Sequence, residues 1–257
     1  MPIEILNPGS FLESQDAVAE VVDFVTILGI LILSLSVIGL AGYPALKNAQ
    51  EARYIENTKL SFVVMAENLN KVALGQAPSK SVELKMYGGR LSVSMDSTIK
   101  INATNSTNKE ITLFDSTLGT IQNSIGDTVV AYEGTGVWIK YQQGVTLNAY
   151  RPLFANQSGA LVIPVVQISG NSSIGGNGLS RIRAEGSPSV SIYNNVSNIT
   201  ITIKGDYVSG WKDYFENINK MGWMTNSSTS GTYTAVFNRT KNLDVYILNT
   251  QIYAEIE

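Results

Sequence analysis

The sequence predicts an α+β fold in which a long N-terminal helix precedes an antiparallel β-rich domain with a small C-terminal α/β portion. Three observations predict this fold class. An uncharged apolar run of 23 residues occupies 24–46. An amphipathic helical pattern follows that run. From residue 81 onward, short segments of alternating apolar and polar residues are separated by Gly, Asn, Asp and Ser, as in sheets built from hairpins.

The predicted organisation has four parts, each marked by a change of residue pattern. Two prolines and a glycine precede any helical pattern, which indicates an irregular N-terminus. In chain order, the predicted parts are a leader or disordered N-terminus at 1–15, a long hydrophobic then amphipathic helix at 16–76, an antiparallel β domain at 77–190 and a β-α-β-β portion at 191–257. Within the last two parts, the segments at 88–89 and 133–136 are expected to form hairpins, and 209–223 is expected to form a short helix packed onto the sheet. The expected strands include 160–169, 179–186, 199–205 and 243–256.

The apolar run is long enough to cross a membrane, because about 20 apolar residues span the hydrocarbon core. Gly42 and Pro44 predict a kink near 42–44, since proline removes a backbone hydrogen bond and clashes with the preceding turn. Gly75 and Pro78 predict the end of the helix. A helix of this length does not fit inside one globular domain. We therefore expect its front half to contact lipid or neighbouring copies.

Composition excludes several classes of protein. The chain has 18 basic and 21 acidic residues, no His and no Cys, so it lacks disulfides and the commonest ligands of zinc, copper and haem. No dense basic patch indicates nucleic-acid binding. No phosphate-binding loop, nucleophile elbow or acidic calcium loop is present. We therefore predict no enzymatic activity, no catalytic residue, no metal site and no cofactor.

One enzymatic alternative stays open at this stage. Paired carboxylates can hydrolyse glycosidic bonds when the fold brings them to a suitable separation. The acidic residues that could supply such a pair are Glu133, Glu185, Asp206 and Asp213. Spacing along the chain does not place any two of them together, and solvated surface carboxylates explain them more simply.

Glycosylation sequons favour an extracellular position for the β-rich part. All eight follow the apolar run, at Asn102, Asn105, Asn156, Asn171, Asn195, Asn198, Asn226 and Asn238. Basic residues follow the run and none precedes it, which by charge alone would favour the cytoplasmic side. We give the sequons more weight. The expected location is the cell membrane with an extracellular C-terminal domain, or an extracellular filament.

Two acidic residues lie at the N-terminal end of the apolar run. Glu20 and Asp23 are one turn apart, at a position where an unpaired charge is costly in an apolar environment. Either both carboxylates lie in the headgroup layer or they bond to a neighbouring subunit. The second interpretation makes Glu20 and Asp23 candidate assembly residues.

These motifs also carry a family resemblance. AVAEVVDF at 17–24, the apolar helix and GYPALKNAQ at 42–50 together resemble archaeal type IV pilin-like proteins, the class exported with a class III signal peptide. Short segments resemble one uncharacterised pilin-like group, at 77–93, 130–134, 173–178, 181–186 and 211–215.

The resemblance implies a function in assembly. In that family a prepilin peptidase cuts just before the apolar helix, and a glutamate at the fifth mature position helps to register subunits. With Asp16 as the first mature residue, Glu20 takes the fifth position. The implied protein is a minor pilin-like structural subunit of a surface filament or secretion apparatus. Its implied partners are other pilin-like subunits or itself, the membrane, the peptidase and an assembly platform.

A second interpretation is a single-span, membrane-anchored extracellular protein for binding or adhesion that does not polymerise. The residues before the implied cut, at 13–16, differ from the basic-then-small pattern of the family, which keeps an unprocessed anchored relative as the alternative.

Overall fold

The computed structural model describes residues 9–170, 172–237 and 242–257, and it confirms the α+β class. Residues 1–8 of the expected leader lie outside this range. The helical elements are α1 (Gly9–Val37), a π-helical turn (Ile38–Gly42), α2 (Tyr43–Ala73), α3 (Val208–Asp213) and a second π-helical turn (Tyr214–Ile218). Helix α1 thus begins before the expected start at residue 16, whereas α2 ends close to the expected end at 76.

The chain divides into two compact units, Met1–Ala52 and Arg53–Glu257. In the described part of the first unit, every side chain from Val18 to Gln50 is exposed. The second unit begins within α2, whose buried residues lie between Thr58 and Ala73. Only the second half of α2 therefore contributes side chains to a hydrophobic core.

Thirteen strands follow α2 in the described residues. Their bounds are β1 (Ser79–Ser94), β2 (Thr98–Thr104), β3 (Glu110–Thr117), β4 (Thr120–Ile125), β5 (Thr128–Glu133), β6 (Gly136–Lys140), β7 (Thr146–Tyr150), β8 (Ala155–Gln157), β9 (Ala160–Ser169), β10 (Ser173–Lys204), β11 (Met224–Thr229), β12 (Thr232–Phe237) and β13 (Leu243–Ile256).

The long strand β10 links two sets of strands. One set has the order β7-β6-β5-β4-β1-β10-β13-β9-β8, and the other joins β11, β12, β2 and β3 to the second half of β10. All pairs are antiparallel except β9 with β13. The expected boundary near residue 190 falls inside β10, and β13 pairs with β10 in the middle of the first set. The C-terminal portion is therefore part of the same sheet system.

Two glycine-containing segments were expected to form hairpins, and one does. Gly134 and Thr135 connect β5 to β6, both with positive φ, as a tight two-residue hairpin requires. Gly88 and Gly89 do not reverse the chain. They lie at a register shift within β1, where a Cβ on Gly89 would lie 2.5 Å from the backbone oxygen of Ser124. A close approach between strands, and not a turn, requires that glycine.

Two hydrophobic cores stabilise the second unit. One contains the buried side of α2, including Phe62 and Leu69, packed with residues of the first set of strands such as Ile182 and Ile252. The other contains the aromatic residues of α3 and the turn after it, including Trp211 and Phe215. The expected packing of this short helix onto the sheet is thus confirmed.

Candidate functional site

The described part of the first unit presents an apolar helix with no protein partner. Phe24, Ile30 and Leu33 are 66%, 62% and 66% exposed. Val18–Ala73 is the one helix in the described residues that is long and apolar enough to cross a membrane. Monomeric soluble proteins rarely expose apolar patches of this extent, and the surface is compatible with contact to lipid.

Three hydroxyl side chains of the apolar run bond to the backbone of their own helix. Thr26 Oγ1 donates to the carbonyl oxygen of Val22 at 2.7 Å, and Ser34 Oγ donates to that of Ile30 at 2.8 Å. Ser36 makes the same bond one turn back at 2.7 Å. Such bonds leave no hydroxyl donor unsatisfied when water is absent. The helix surface is therefore compatible with membrane anchoring.

The two candidate assembly carboxylates lie at the start of this apolar surface. Glu20 and Asp23 are both exposed, and a separation of three residues places them on neighbouring positions of one helix side. Neither makes a hydrogen bond or ion pair with any residue that the structure describes. Both carboxylates are therefore available to a partner outside the chain.

Next to Gly42 and Pro44 the chain stays helical, but a π-helical turn separates the two α-helices. The N–H of Tyr43 donates to the carbonyl oxygen of Ile38, five residues earlier, which closes the π-helical turn. Pro44 follows directly and has no N–H to donate. A wider turn gives the proline ring space beside the preceding carbonyl groups. The π-helical turn thus ends at Gly42, the first residue of the segment expected to kink, and Pro44 lies in the first turn of α2.

Three sequon asparagines are exposed at irregular points of strands. Asn195 and Asn198 have φ of 58° and 47° and lie at register shifts of β10, and Asn226 lies at a shift in β11. A bulge turns the side chain away from the regular ladder. The other described sequon asparagines are half-buried, namely Asn102, Asn105 and Asn156. Asn171 and Asn238 lie outside the described residues.

A strained hairpin in the second unit positions a buried carboxyl group. Thr135 is fully buried with φ of 67°, a conformation that is rare for a β-branched residue. Asn70 Nδ2 donates to the Thr135 carbonyl oxygen at 3.0 Å, and the Leu153 N–H donates to Thr135 Oγ1 at 3.0 Å. These bonds hold the turn, so the residue at the end of β5, Glu133, has a fixed position.

Glu133 is 1% exposed and is only half satisfied by hydrogen bonds. Trp211 Nε1 donates to Glu133 Oε1 at 2.8 Å, and Trp138 Nε1 donates to the Glu133 carbonyl oxygen at 3.1 Å. Apart from the Ser97 donor bond to the Glu133 carboxyl group, Glu133 Oε2 and the hydroxyl of Ser97, which is 3% exposed, have no hydrogen-bond partner in the described residues. Burial raises the pKa of Glu133 to about 7, the Trp211 and Ser97 donors lower it, and the charge of Asp206 raises it.

The free oxygen of Glu133 belongs to a small cleft, which we name the Glu133 cleft. Its volume is about 10 Å³, enough for one water molecule or ion. Each lining side chain carries an oxygen atom. The lining residues are Ser94, Asp96, Ser97, Thr120, Gln122, Glu133, Asp206 and Tyr207. The cleft thus joins the end of β1, the start of β4, the end of β5 and the segment before α3.

Several lining groups already bond to each other. The Tyr207 hydroxyl donates to Gln122 Oε1 at 3.0 Å, and Ser94 Oγ donates to Asp96 Oδ2 at 2.5 Å. Lys140 Nζ lies 3.1 Å from a carboxylate oxygen of Asp206. Burial and the nearby charges of Glu133 and Asp206 raise the pKa of Tyr207, which therefore stays a neutral donor.

The structure brings together two of the four carboxylates proposed for a hydrolytic pair. Glu133 and Asp206 line the same cleft. Glu185 instead bonds to Arg183 on the exposed side of β10, and Asp213 accepts a bond from Asn217 at 2.8 Å. A cleft with room for one water molecule does not accommodate a sugar ring, so this geometry gives no support to glycoside hydrolysis.

A family model matches residues 17–255 of the chain, with the description "Family of unknown function (DUF7289)". The chain belongs to DUF7289. The region shared with DUF7289 includes the apolar helix, both cores and the Glu133 cleft. No curated protein and no solved structure is significantly similar to the chain.

Sequence reasoning found Glu133 and Asp206 as carboxylates but missed Ser97 and the role of Trp211 beside them. No local motif connects these residues, because they come from β5, from α3 and from the connecting segments before β2 and before α3. Among the described residues, no three Asp or Glu side chains are grouped as a metal site.

Proposed function

We propose that this protein is a pilin-like structural subunit, of the minor kind, in an archaeal type IV pilus-like surface filament or secretion apparatus. In this proposal, the N-terminal helices of neighbouring subunits pack together and the β-rich unit faces the exterior. The observation that carries the proposal is the exposed apolar surface that begins at Val18 and continues beyond residue 40.

The distribution of packing within the chain supports this proposal. Residues of α2 after Thr58 pack against the protein's own sheet, whereas the described residues before Gln50 pack against nothing. A subunit that assembles through its helix needs this division, because the same helix must join its own domain and its neighbours. Ala41, Ala45 and Ala49 recur every four residues, a spacing that lets helix backbones approach closely.

The two carboxylates at the start of the helix support a register function. A charge next to an apolar helix bundle is costly until a partner group compensates it, so correct register is favoured over other registers. Glu20 and Asp23 lack partners among the described residues and would find them in a neighbouring subunit. The proposed partners are other pilin-like subunits or a second copy, with the membrane before assembly.

Replacing Glu20 by alanine tests the proposal. We expect cells with Glu20→Ala to lose surface filaments while they keep the protein in the membrane, because the helix stays apolar. Glu67→Ala is the matched control, since Glu67 is an exposed glutamate of α2 in the second unit. Electron microscopy counts the filaments. Filaments unchanged in number and length in Glu20→Ala would contradict the assembly function.

Mass spectrometry of the N-terminus separates assembly from simple anchoring. The sheared surface fraction and the membrane pellet are analysed from the same cells. A chain that begins near residue 16 or 17 in the sheared fraction supports a processed subunit. An intact chain from Met1, found only in the membrane, would instead support an anchored binding or adhesion protein, in which Glu20 has no register function.

A further inference from the structure

A larger cleft, which we name the Lys212 cleft, lies where three connections of the second unit meet. These connections are the turn between β6 and β7, the segment between β10 and α3, and the hairpin between β11 and β12. The volume of the cleft is about 490 Å³, within the range of clefts that bind small molecules. Glycines aside, every side chain of its lining except that of Val208 is polar, so its ligand is a polar molecule.

Bonds between the three connections fix the walls of the Lys212 cleft. The N–H of Gly205 donates to the carbonyl oxygen of Gly231 at 3.1 Å, which joins the segment before α3 to the β11–β12 hairpin. Lys140 Nζ lies 3.1 Å from a carboxylate oxygen of Asp206, which joins the end of β6 to the same segment. Because these bonds join the walls directly, the cleft is preformed and binding has a low ordering cost.

The lining presents polar groups that have no protein partner among the residues that the structure describes. Lys212 is half-buried and makes no ion pair there. The hydroxyl groups of Ser228, Thr229 and Ser230 are exposed and make no hydrogen bond there either. An ammonium group only donates hydrogen bonds, whereas a hydroxyl group both donates and accepts them. The cleft therefore offers one cation and three adaptable hydroxyl groups to a ligand.

The charges of the lining determine the charge of this ligand. Lys140 and Lys212 outnumber the carboxylate of Asp206, so the lining is positive. Lys140 is already paired with Asp206, which leaves Lys212 as the group that attracts an anion. The Asp206 carboxylate is 75% exposed and accepts hydrogen bonds, so it favours a ligand that also carries hydroxyl groups. A sugar acid combines both features, whereas a simple anion has no hydroxyl group for Asp206.

We propose that the Lys212 cleft binds a sugar that carries a carboxylate group, such as a uronic acid unit of an acidic polysaccharide. Lys212 pairs with the sugar carboxylate, Asp206 accepts hydrogen bonds from sugar hydroxyl groups, and the hydroxyl groups at 228–230 bind others. This site does not depend on the proposed filament function, because all of its residues lie in the second unit.

Calorimetric titration of the full chain with digalacturonate tests the site, in a detergent whose headgroup is neither a sugar nor an anion. We expect one binding site per chain, with an affinity that falls as salt is added. Lys212→Gln removes the charge and should weaken binding by about tenfold or more, because hydrogen bonds to charged groups are the stronger ones. Lys212→Arg keeps the charge and should bind more tightly than Lys212→Gln. Lys109→Gln, the control at an exposed lysine outside the cleft, should leave the affinity unchanged.

Further arms separate a sugar-acid site from other sites. Replacing both Ser228 and Ser230 by alanine removes exposed hydroxyl groups and should also weaken binding of digalacturonate, so the test does not depend on one variant; circular dichroism checks the folding of each. Acetate and the neutral disaccharide cellobiose should both bind more weakly than digalacturonate.

Three results would overturn the proposal. The first is wild-type protein without heat of binding up to about 10 mM digalacturonate. The second is equal affinity in wild type and Lys212→Gln. The third is binding of acetate or cellobiose as tight as that of digalacturonate, because the cleft would then recognise a simple anion or a neutral sugar.

Discussion

The two units of the chain differ in the exposure of their apolar side chains. In the first unit, large apolar residues such as Leu33 and Leu35 are 66% and 67% exposed. In the second, Leu69 and Phe62 of α2 are fully buried against the sheet. Both pairs are large apolar side chains on helices. The difference teaches that the residues that stabilise the folded domain and the surface that we propose for assembly are separated along one helical segment.

The test with the largest expected effect compares alanine substitutions at two leucines. Leu69→Ala removes a fully buried side chain and should lower the free energy of unfolding by about 2–5 kcal/mol. Leu33→Ala changes an exposed position and should alter it by less than about 0.5 kcal/mol. Tryptophan fluorescence during chemical denaturation in detergent measures both, because all three tryptophans lie in the second unit. Equal losses would mean that the units do not have separate stabilities.

The buried carboxyl group gives the second unit a dependence on pH. The pKa of Glu133 rises to about 7 in the folded chain from an ordinary value of 4.5. The folded state therefore holds a proton that the unfolded state releases between these values. Stability is fully present below about 4.5 and falls as pH rises through about 7, by about 3 kcal/mol in total. The midpoint of chemical denaturation, measured from pH 4.5 to 8, tests this loss of stability.

Glu133→Gln is the control for that pH dependence. The amide stays neutral at every pH, so its stability should change less between pH 4.5 and 8 than that of the wild type. Asp96, Asp206, Lys140 and Tyr207 face or adjoin the same cleft and remain unchanged in this variant. An identical slope in both proteins would assign the pH dependence to one of those groups.

A third test examines how α2 supports the strained hairpin. Asn70 Oδ1 accepts a hydrogen bond from the Tyr132 hydroxyl at 2.9 Å, and its Nδ2 donates to Thr135. Asn70→Ala leaves two buried polar groups unsatisfied and should cost about 2 kcal/mol or more. Asn68→Ala, at a half-buried neighbour whose amide bonds only to its own helix, should cost less than about 0.5 kcal/mol. Chemical denaturation followed by circular dichroism compares them.

Local patterns predicted much of the fold. Segments 160–169 and 243–256 were expected as strands, and β9 and β13 have those bounds. Patterns did not predict that the segments at 179–186 and 199–205 belong to one strand, β10. Glycine, proline and asparagine between them resemble turn residues, but pairing with β13 and β12 on either side keeps the chain extended. Tertiary pairing overrode local preference there.

The candidate sites differ in the same way. Glu20 and Asp23 are recognisable from sequence because the apolar run beside them lies next to them along one helix, where a charge is costly. The Glu133 cleft depends on residues separated by more than 100 positions, from Ser94 to Tyr207. The end of β5 and the segment before α3 come together only through the sheet order. No spacing rule along the chain could have placed these oxygens around one cavity.

The smallest expected effects compare two sequon asparagines within the packed unit. Asn226 is exposed at a bulge in β11, so Asn226→Gln should change the free energy of unfolding by less than about 0.5 kcal/mol. Asn102 is half-buried in β2 and donates to Glu110 at 2.8 Å. Asn102→Gln must reposition that amide and should cost about 1 kcal/mol.

Glycopeptide mapping should accordingly find a glycan at Asn226 more often than at Asn102, because attachment at Asn102 uses the amide nitrogen that holds Glu110. Higher occupancy at Asn102 would mean that modification precedes the folding of this strand.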